Sequence, residues 1–263
     1  MNTKTEEIKN FWEKQAEKFG DDILATMPDK LLKELEIENI SKYLKDETIV
    51  ADIGCGNGYS TFYYAMNKNI KITGIDYCEN MINTAQNSLK LKKELKNRVN
   101  FLIGDILNLK AIADNSFDTI ITDRCLINLT SIKEQINAVK ELYRILKPNG
   151  TYLMCEDTIE GLNSLNALRK SVNLYQIQQH WHNLYINEKE IFDNIKNFFK
   201  IEEINNFSSF YYVASRIING KIADINNIDP KYDSDINKIA RLISSCGNFG
   251  DYGPLKLFVL RKI

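Results

Sequence analysis

The chain contains no apolar run approaching the roughly 20 residues of a membrane-spanning helix, so no transmembrane segment is expected. Its opening residues, Met-Asn-Thr-Lys-Thr-Glu-Glu, lack the basic patch and apolar stretch of an export signal. Charge of one sign is also missing. The 34 Lys and Arg balance 35 Asp and Glu for a formal charge of −1, which leaves no basic field for duplex nucleic acid and points to small substrates. Five cysteines, Cys55, Cys78, Cys125, Cys155 and Cys246, form no C-x-x-C pair, and their odd number argues against a complete disulfide framework. A reducing, cytoplasmic compartment fits that usage. The only two histidines, His180 and His182, have no acidic or cysteine partner at ligand spacing, so no metal site is expected. With four prolines there is no Pro-rich linker, and no internal repeat or low-complexity segment stands out.

What is present is ordinary globular composition, 44% hydrophobic and 26% charged over 263 residues, enough for one large α/β domain with an appended cap. Apolar runs near 49–53, 70–75, 99–103, 117–122 and 151–155 alternate with helical stretches near 59–67, 78–93 and 131–147. That alternation predicts a parallel sheet with helices on both faces. Lys147-Pro-Asn-Gly150 is expected to stop the last of these helices. The first 45 residues read as helical, with Ile8, Phe11, Trp12, Ala16 and Phe19 at helical spacing. Beyond 156 the spacing predicts helices within 158–198, a strand over 200–205 and a last antiparallel strand at the sheet edge over 255–261. The intervening segment 206–254, with Phe207, Phe210, Tyr211, Tyr212 and Tyr232, is too long and too apolar for a plain loop and reads as a substrate cap.

The first strand ends in Asp52-Ile-Gly-Cys-Gly-Asn-Gly58. Glycines at alternate positions let backbone turn sharply and approach a ligand closely, because no Cβ intervenes. A dinucleotide fingerprint needs its third glycine one residue later, at Tyr59, so a pyrophosphate is disfavoured. Asp76, 22 residues beyond Gly54 at the end of the second strand, suits a pair of ribose hydroxyls. Asp105 ends the third strand where a short polar side chain would meet an adenine amino group. Three strand ends thus converge on one adenosyl ligand.

With these pieces the chain resembles the class I S-adenosylmethionine-dependent methyltransferases, which have a Rossmann-like sheet. The matching residues are Asp52 to Gly58, Asp76, Gly104-Asp105, Phe117 to Thr122 and Leu142 to Gly150. The resemblance implies methyl transfer from S-adenosylmethionine, with S-adenosylhomocysteine as product. It implies Asp52 on the cofactor's amino end, Gly54 and Gly56 as backbone contacts, Asp76 on the ribose and Asp105 with Ile106 at the adenine. Tyr77 and Met81 would pack against the adenine, and Asp123 and Arg124 would present backbone to the cofactor. Asp123-Arg-Cys-Leu departs from the Asn/Asp-Pro-Pro-Tyr signature of enzymes acting on nucleic-acid amino groups. Trp181 to Tyr185 and Gly247 to Asp251 resemble small-molecule methyltransferases of bacterial surface-carbohydrate pathways.

Methyl transfer is an in-line displacement that rests on positioning, and a hydroxyl acceptor also needs a base. His180 and His182 are the base candidates, and helical spacing would place Tyr175 one turn from Gln179 and Gln178 one turn from His182, a polar face toward the pocket to which the catalytic candidate Tyr175 belongs. The plain alternative is that both histidines pack or cap a helix. Trp12 on a closing N-terminal helix, Arg169, Gln179, Tyr211, Tyr212 and Arg216 are the expected acceptor contacts, the arginines as a phosphate clamp. Phe11, Gln15 and Arg241 belong to the same comparison. The expected organisation is one domain over 1–263: a helical lid (1–45), a cofactor core (46–156), cap segments (157–198 and 206–254) and a last strand (255–263). The expected acceptor is a small polar metabolite, either a sugar or nucleotide-sugar hydroxyl or an amine such as phosphoethanolamine, and the enzyme works as a monomer or homodimer without nucleic acid or membrane. The alternative is a non-catalytic S-adenosylmethionine-binding protein with a protein partner.

Overall fold

The computed structural model describes residues 3–247 and 249–263. Helices α1 (Thr3–Phe19) and α2 (Lys30–Ser41) precede an alternation of β1 (Ile49–Ile53), α3 (Tyr59–Asn67), β2 (Lys71–Asp76), α4 (Glu79–Leu91), β3 (Val99–Ile103), β4 (Phe117–Asp123), α5 (Ile132–Ile145) and β5 (Leu146–Asp157). There follow α6 (Ile159–Ser171), α7 (Glu188–Ile195), β6 (Phe199–Asn205), α8 (Ser209–Tyr212), a π-helical stretch (Val213–Ile218), α9 (Asn219–Ile225), α10 (Asp235–Ser244) and β7 (Leu255–Lys262).

The strands form one seven-stranded sheet in the order β3-β2-β1-β4-β5-β7-β6. β3 to β5 are parallel, whereas β7 runs antiparallel to both β5 and β6. The α/β class and the largely parallel sheet are as the alternation predicts. The last strand is not at the edge: β7 lies between β5 and β6, and β6 takes the edge. Helix α5 ends at Ile145, ahead of the proline, and β5 begins at once with Asn149 at φ 59 inside it. Its start obeys local chemistry, since Ser131 accepts from the Glu134 N–H while Glu134 reaches back to the Thr130 N–H.

Strands of a parallel sheet are buried on both faces, so alternate residues feed two cores. Val50, Phe101, Ile121 and Leu153 pack with α2, α3 and the α8–α10 segment. Ala51, Ile75, Ile120 and Tyr152 pack with α5, α6 and α7 on the other face. A smaller cluster of Ala16, Ala25, Cys78 and Met81, with Trp12, Phe19 and Tyr77 against it, fastens α1 over α4. Glu13 reinforces it by accepting the first two N–H groups of α4, from Glu79 and Asn80.

Candidate active site

The carboxyl ends of β1 to β5 open into a cavity of about 1280 Å³, as expected where ligands bind an open α/β sheet. Gly54, Gly56 and Gly58 all have positive φ, at 74°, 55° and 80°. At Gly54 the requirement is also steric, because a Cβ there would lie 2.6 Å from Cys125 Sγ.

Three acidic strand ends meet in this wall. Asp76 accepts the Gly56 N–H on Oδ2 and the Cys78 N–H on Oδ1, both at 2.9 Å, so it holds the glycine loop as well as facing the cavity. Asp52 is buried and receives the Thr61 hydroxyl at 2.5 Å; burial pushes its carboxyl up to about 6. Asp105 is exposed to the cavity and accepts the Leu107 N–H at 2.9 Å. Tyr77, Met81 and Ile106 supply apolar wall beside them. In kind, this set of carboxylates, glycine backbone and flat apolar surface fits an adenosyl group with a charged amino acid tail.

Asp123 and Arg124 line the cavity, but their side chains are engaged elsewhere. Lys33 Nζ lies 2.5 Å from Asp123 Oδ2 and 2.5 Å from Glu36 Oε1, and Arg124 Nε lies 3.2 Å from Glu36 Oε2. Arg124 is held at φ 53 while it does so. Burial pushes Glu36 above the usual carboxylate range, and the Lys33 and Arg124 charges keep Asp123 below it. Sequence reasoning missed Lys33 and Glu36. A charged pair three apart on the face of α2 that also carries Leu32 and Leu35 is the signal that marks them.

The opposite end of the cavity is built by the cap. Arg216, in the π-helical stretch, lies 2.7 Å from Asp29 Oδ2 and stacks over the rings of Tyr232 and Tyr212 at 4.9 and 5.4 Å. Arg169 donates to the carbonyls of Tyr175, at 2.7 Å, and of Arg216. Neither guanidinium stands free as the expected phosphate clamp, and Arg241 pairs with Glu34 and Glu38 on α2 instead. Tyr212 lines the cavity; Tyr211 does not, because it is buried with its hydroxyl on Asp29 Oδ1 at 2.7 Å. Gln179 is likewise out of the lining and accepts the Tyr185 N–H at 2.9 Å. Phe207 and Phe210 are core. Within Gly247 to Asp251, Asn248 lies outside the described residues. The Phe249 carbonyl accepts from Ser209 and the Asp251 carboxylate from Lys256, away from the cavity.

The helix expected through Tyr175 to His182 is absent: 174–185 is irregular chain. Asn173 at φ 57 follows the end of α6, and long-range bonds replace helical ones, Ile177 N–H to Asn166 Oδ1 at 2.8 Å and Leu184 N–H to the Ile127 carbonyl at 2.6 Å. Tyr175 is therefore at the rim with 94% of its surface exposed. His182 is packed on Phe11 at 4.7 Å, with Trp12 at 5.3 Å and His180 at 5.5 Å. Burial, with the neighbouring His180, pushes its imidazole down to about 4, so at neutral pH it is an uncharged weak base. Trp12 closes this wall by donating to Asn128 Oδ1 at 3.0 Å.

A family profile described as "Methyltransferase domain" matches residues 44–197, more than half of the chain. The chain belongs to that family. The matched region is a methyltransferase domain, and its fold is that of the class I methyltransferases. It is 31% identical over 123 residues to an uncharacterized methyltransferase of Schizosaccharomyces pombe (44% of this chain, 42% of that protein). It is 32% identical over 124 residues to a demethylmenaquinone methyltransferase of Leptospira interrogans (47% and 46%). To phosphoethanolamine N-methyltransferase 3 of Arabidopsis thaliana it is 34% identical over 113 residues (43% and 22%). The matched regions thus span less than half the length of these curated relatives. Among solved structures, geranyl diphosphate C-methyltransferase from Streptomyces coelicolor, determined with Mg2+, geranyl diphosphate and S-adenosyl-L-homocysteine, superposes with a TM-score of 0.63 at 11% identity over 100% of this chain and 98% of that one. That likeness is one of fold.

Proposed function

We infer that this methyltransferase acts on a small polar metabolite, a sugar or nucleotide-sugar hydroxyl or an amine such as phosphoethanolamine. The observation that carries this reading is the cavity itself. At about 1280 Å³ it exceeds the roughly 300–1,000 Å³ of a single-ligand pocket, and it runs without a break from the acidic strand ends to the polar cap residues. The phosphoethanolamine methyltransferase among the relatives supports the amine, and the carbohydrate-pathway likeness of Trp181 to Tyr185 supports the sugar.

When bound, S-adenosylmethionine supplies the methyl group. In this reading Asp76 takes the ribose hydroxyls, Asp105 and Ile106 flank the adenine amino group, and Tyr77 and Met81 cover the adenine face. Asp52 receives the amino end, with Gly54, Gly56, Asp123 and Arg124 contributing backbone. Trp12, Tyr212 and His182 wall the acceptor, while Arg169, Gln179, Tyr211 and Arg216 brace those walls. His180, stacked at the cavity wall, is the histidine left as a base. The core 46–156 serves the cofactor, and 1–45, 157–198 and 206–254 serve closure and acceptor choice. The near-neutral charge supports free metabolites rather than nucleic acid as acceptors, and the cysteine usage supports a cytoplasmic enzyme, working as a monomer or homodimer.

The experiment is transfer of a radiolabelled methyl group to neutral sugars, nucleotide-sugars and phosphoethanolamine, beside calorimetry with S-adenosylhomocysteine and NAD. Binding of S-adenosylhomocysteine but not NAD, with label in one of these classes, is expected. Cofactor binding without label in any of them would overturn the acceptor reading.

A further inference from the structure

Asp157, the last residue of β5, is a carboxylate without a hydrogen-bond donor. It is 5% exposed and lines the cavity, its Oδ1 is fully buried and unpartnered, and none of the described residues donates to its other oxygen. A carboxylate removed from water with no donor is costly, and such a group persists where a ligand completes it. Around it stand Tyr185 from the loop before α7, Tyr212 at the end of α8, Arg216 from the π-helical stretch, Asp123 at the end of β4 and Arg124 just beyond it. The two arginines act on Asp157 as charges, but their own hydrogen bonds go to Asp29 and Glu36. His182 Nδ1 and Asn183 Oδ1, also in the cavity wall, are buried without partners too. Three unfilled positions at this end, Asp157 Oδ1, His182 Nδ1 and Asn183 Oδ1, can accept hydrogen bonds. The buried guanidinium groups are instead neutralised by carboxylates, Arg216 by Asp29 and Arg124 by Glu36, with Arg124 Nε 3.2 Å from Glu36 Oε2 but not hydrogen-bonded to it. Lys231, Asp224 and Asp229 are exposed residues of the cavity lining.

We propose that the Asp157 carboxylate receives the reacting hydroxyl of an uncharged, donor-rich acceptor of the polyol or sugar class and takes its proton. This rests on the methyl-transfer reading above and narrows it, setting aside phosphorylated and amine acceptors and placing the base at Asp157 instead of His180. The acceptor oxygen forms its bond to the methyl carbon as its proton passes to Asp157, and the electron pair of the broken carbon–sulfur bond stays on sulfur. Asp157 then returns the proton to solvent. Burial raises the carboxyl to about 6, with Arg124 opposing, Asp123 adding and Arg216 opposing, which leaves it ionised at neutral pH and more basic than a surface aspartate.

The test measures label transfer to free monosaccharides and polyols, to their phosphates and nucleotide derivatives, and to ethanolamine and phosphoethanolamine, in wild type, Asp157→Asn, Asp157→Glu and His180→Ala. Wild type is expected to methylate a neutral hydroxyl probe with a kcat that falls below about pH 6. Asp157→Asn should lose turnover by about 100-fold or more, keep S-adenosylhomocysteine affinity within about twofold of wild type and lose the acidic limb, with Asp157→Glu restoring part of the rate. The inference is overturned if label goes only to phosphorylated or amine probes or to none. It is also overturned if Asp157→Asn stays within about threefold of wild type or if His180→Ala alone abolishes transfer. Failure of wild type to bind S-adenosylhomocysteine would instead strike the methyl-transfer reading itself. Melting curves of the variants identify any that fail to fold.

Discussion

Asp76 shows how one side chain joins structure to binding. Its carboxylate fastens the Gly56 and Cys78 amides and still faces the cavity, so it fixes the glycine loop before any ligand arrives. Asp76→Ala removes both bonds and leaves two N–H donors unpaired at the wall, a loss of about 1–3 kcal/mol each if they stay buried. S-adenosylhomocysteine affinity measured by calorimetry should weaken about tenfold or more while the far-ultraviolet spectrum is retained. Unchanged affinity would remove Asp76 from the cofactor site. Asp52, Asp76 and Asp105 were legible because each closes a short apolar run beside a glycine-bearing turn, a purely local pattern. Lys33, Glu36 and Asp157 were not. Lys33 meets Asp123 from 90 positions away, and Asp157 is hidden in Cys-Glu-Asp-Thr, where nothing local distinguishes it from the structural Glu156.

At the scale of elements, alternating runs gave the strand and helix order because a parallel sheet writes its period directly into sequence. The order of the last two strands escaped that logic, since β7 is placed by pairing with β5 across about a hundred positions. The segment 174–185 escaped it too, because its backbone is satisfied by Asn166, Ile127 and Gln179 rather than by its own turns. Helix α1 is fastened to the rest by the apolar cluster around Ala16, Cys78 and Met81 and by Glu13 on α4, Trp12 on Asn128 and Phe11 on His182. Trp12→Ala removes a hydrogen bond and an aromatic contact worth about 1–3 kcal/mol together. The expected result is S-adenosylhomocysteine affinity weakened several-fold with a melting temperature lowered by a few degrees at most, roughly 2–4 °C per kcal/mol lost. A large melting shift with unchanged affinity would make α1 a structural prop rather than a lid.

Across the whole molecule, buried carboxyl groups set a pH dependence of one sign. Glu156, which accepts the N–H groups of Leu126 and Ile127, is pushed by burial up to about 8, and Asp52 and Asp157 to about 6. A folded-state value above the unfolded one gives stability that is complete below the unfolded value and lost as pH rises through the folded one. Asp123, held low, acts only below the ordinary aspartate range and leaves this window untouched. His182, pushed down to about 4, opposes the trend below its ordinary value but is one group against the three carboxyls. Cofactor-free protein should therefore melt at a higher temperature near pH 5 than near pH 8, and Glu156→Gln should flatten the upper part of that slope. A melting temperature that climbs between those values would contradict this arrangement.

The chain has only two tryptophans, Trp12 and Trp181, and both pack against Phe11 and His182 at the cavity wall. Intrinsic fluorescence is consequently a local reporter of occupancy, undiluted by indoles elsewhere. Titration with S-adenosylhomocysteine should change emission intensity or wavelength, and Trp181→Phe should leave a signal belonging to the N-terminal helix alone. The molecule thus carries its own optical probe, which would let stopped-flow traces time the arrival and departure of ligands without a label.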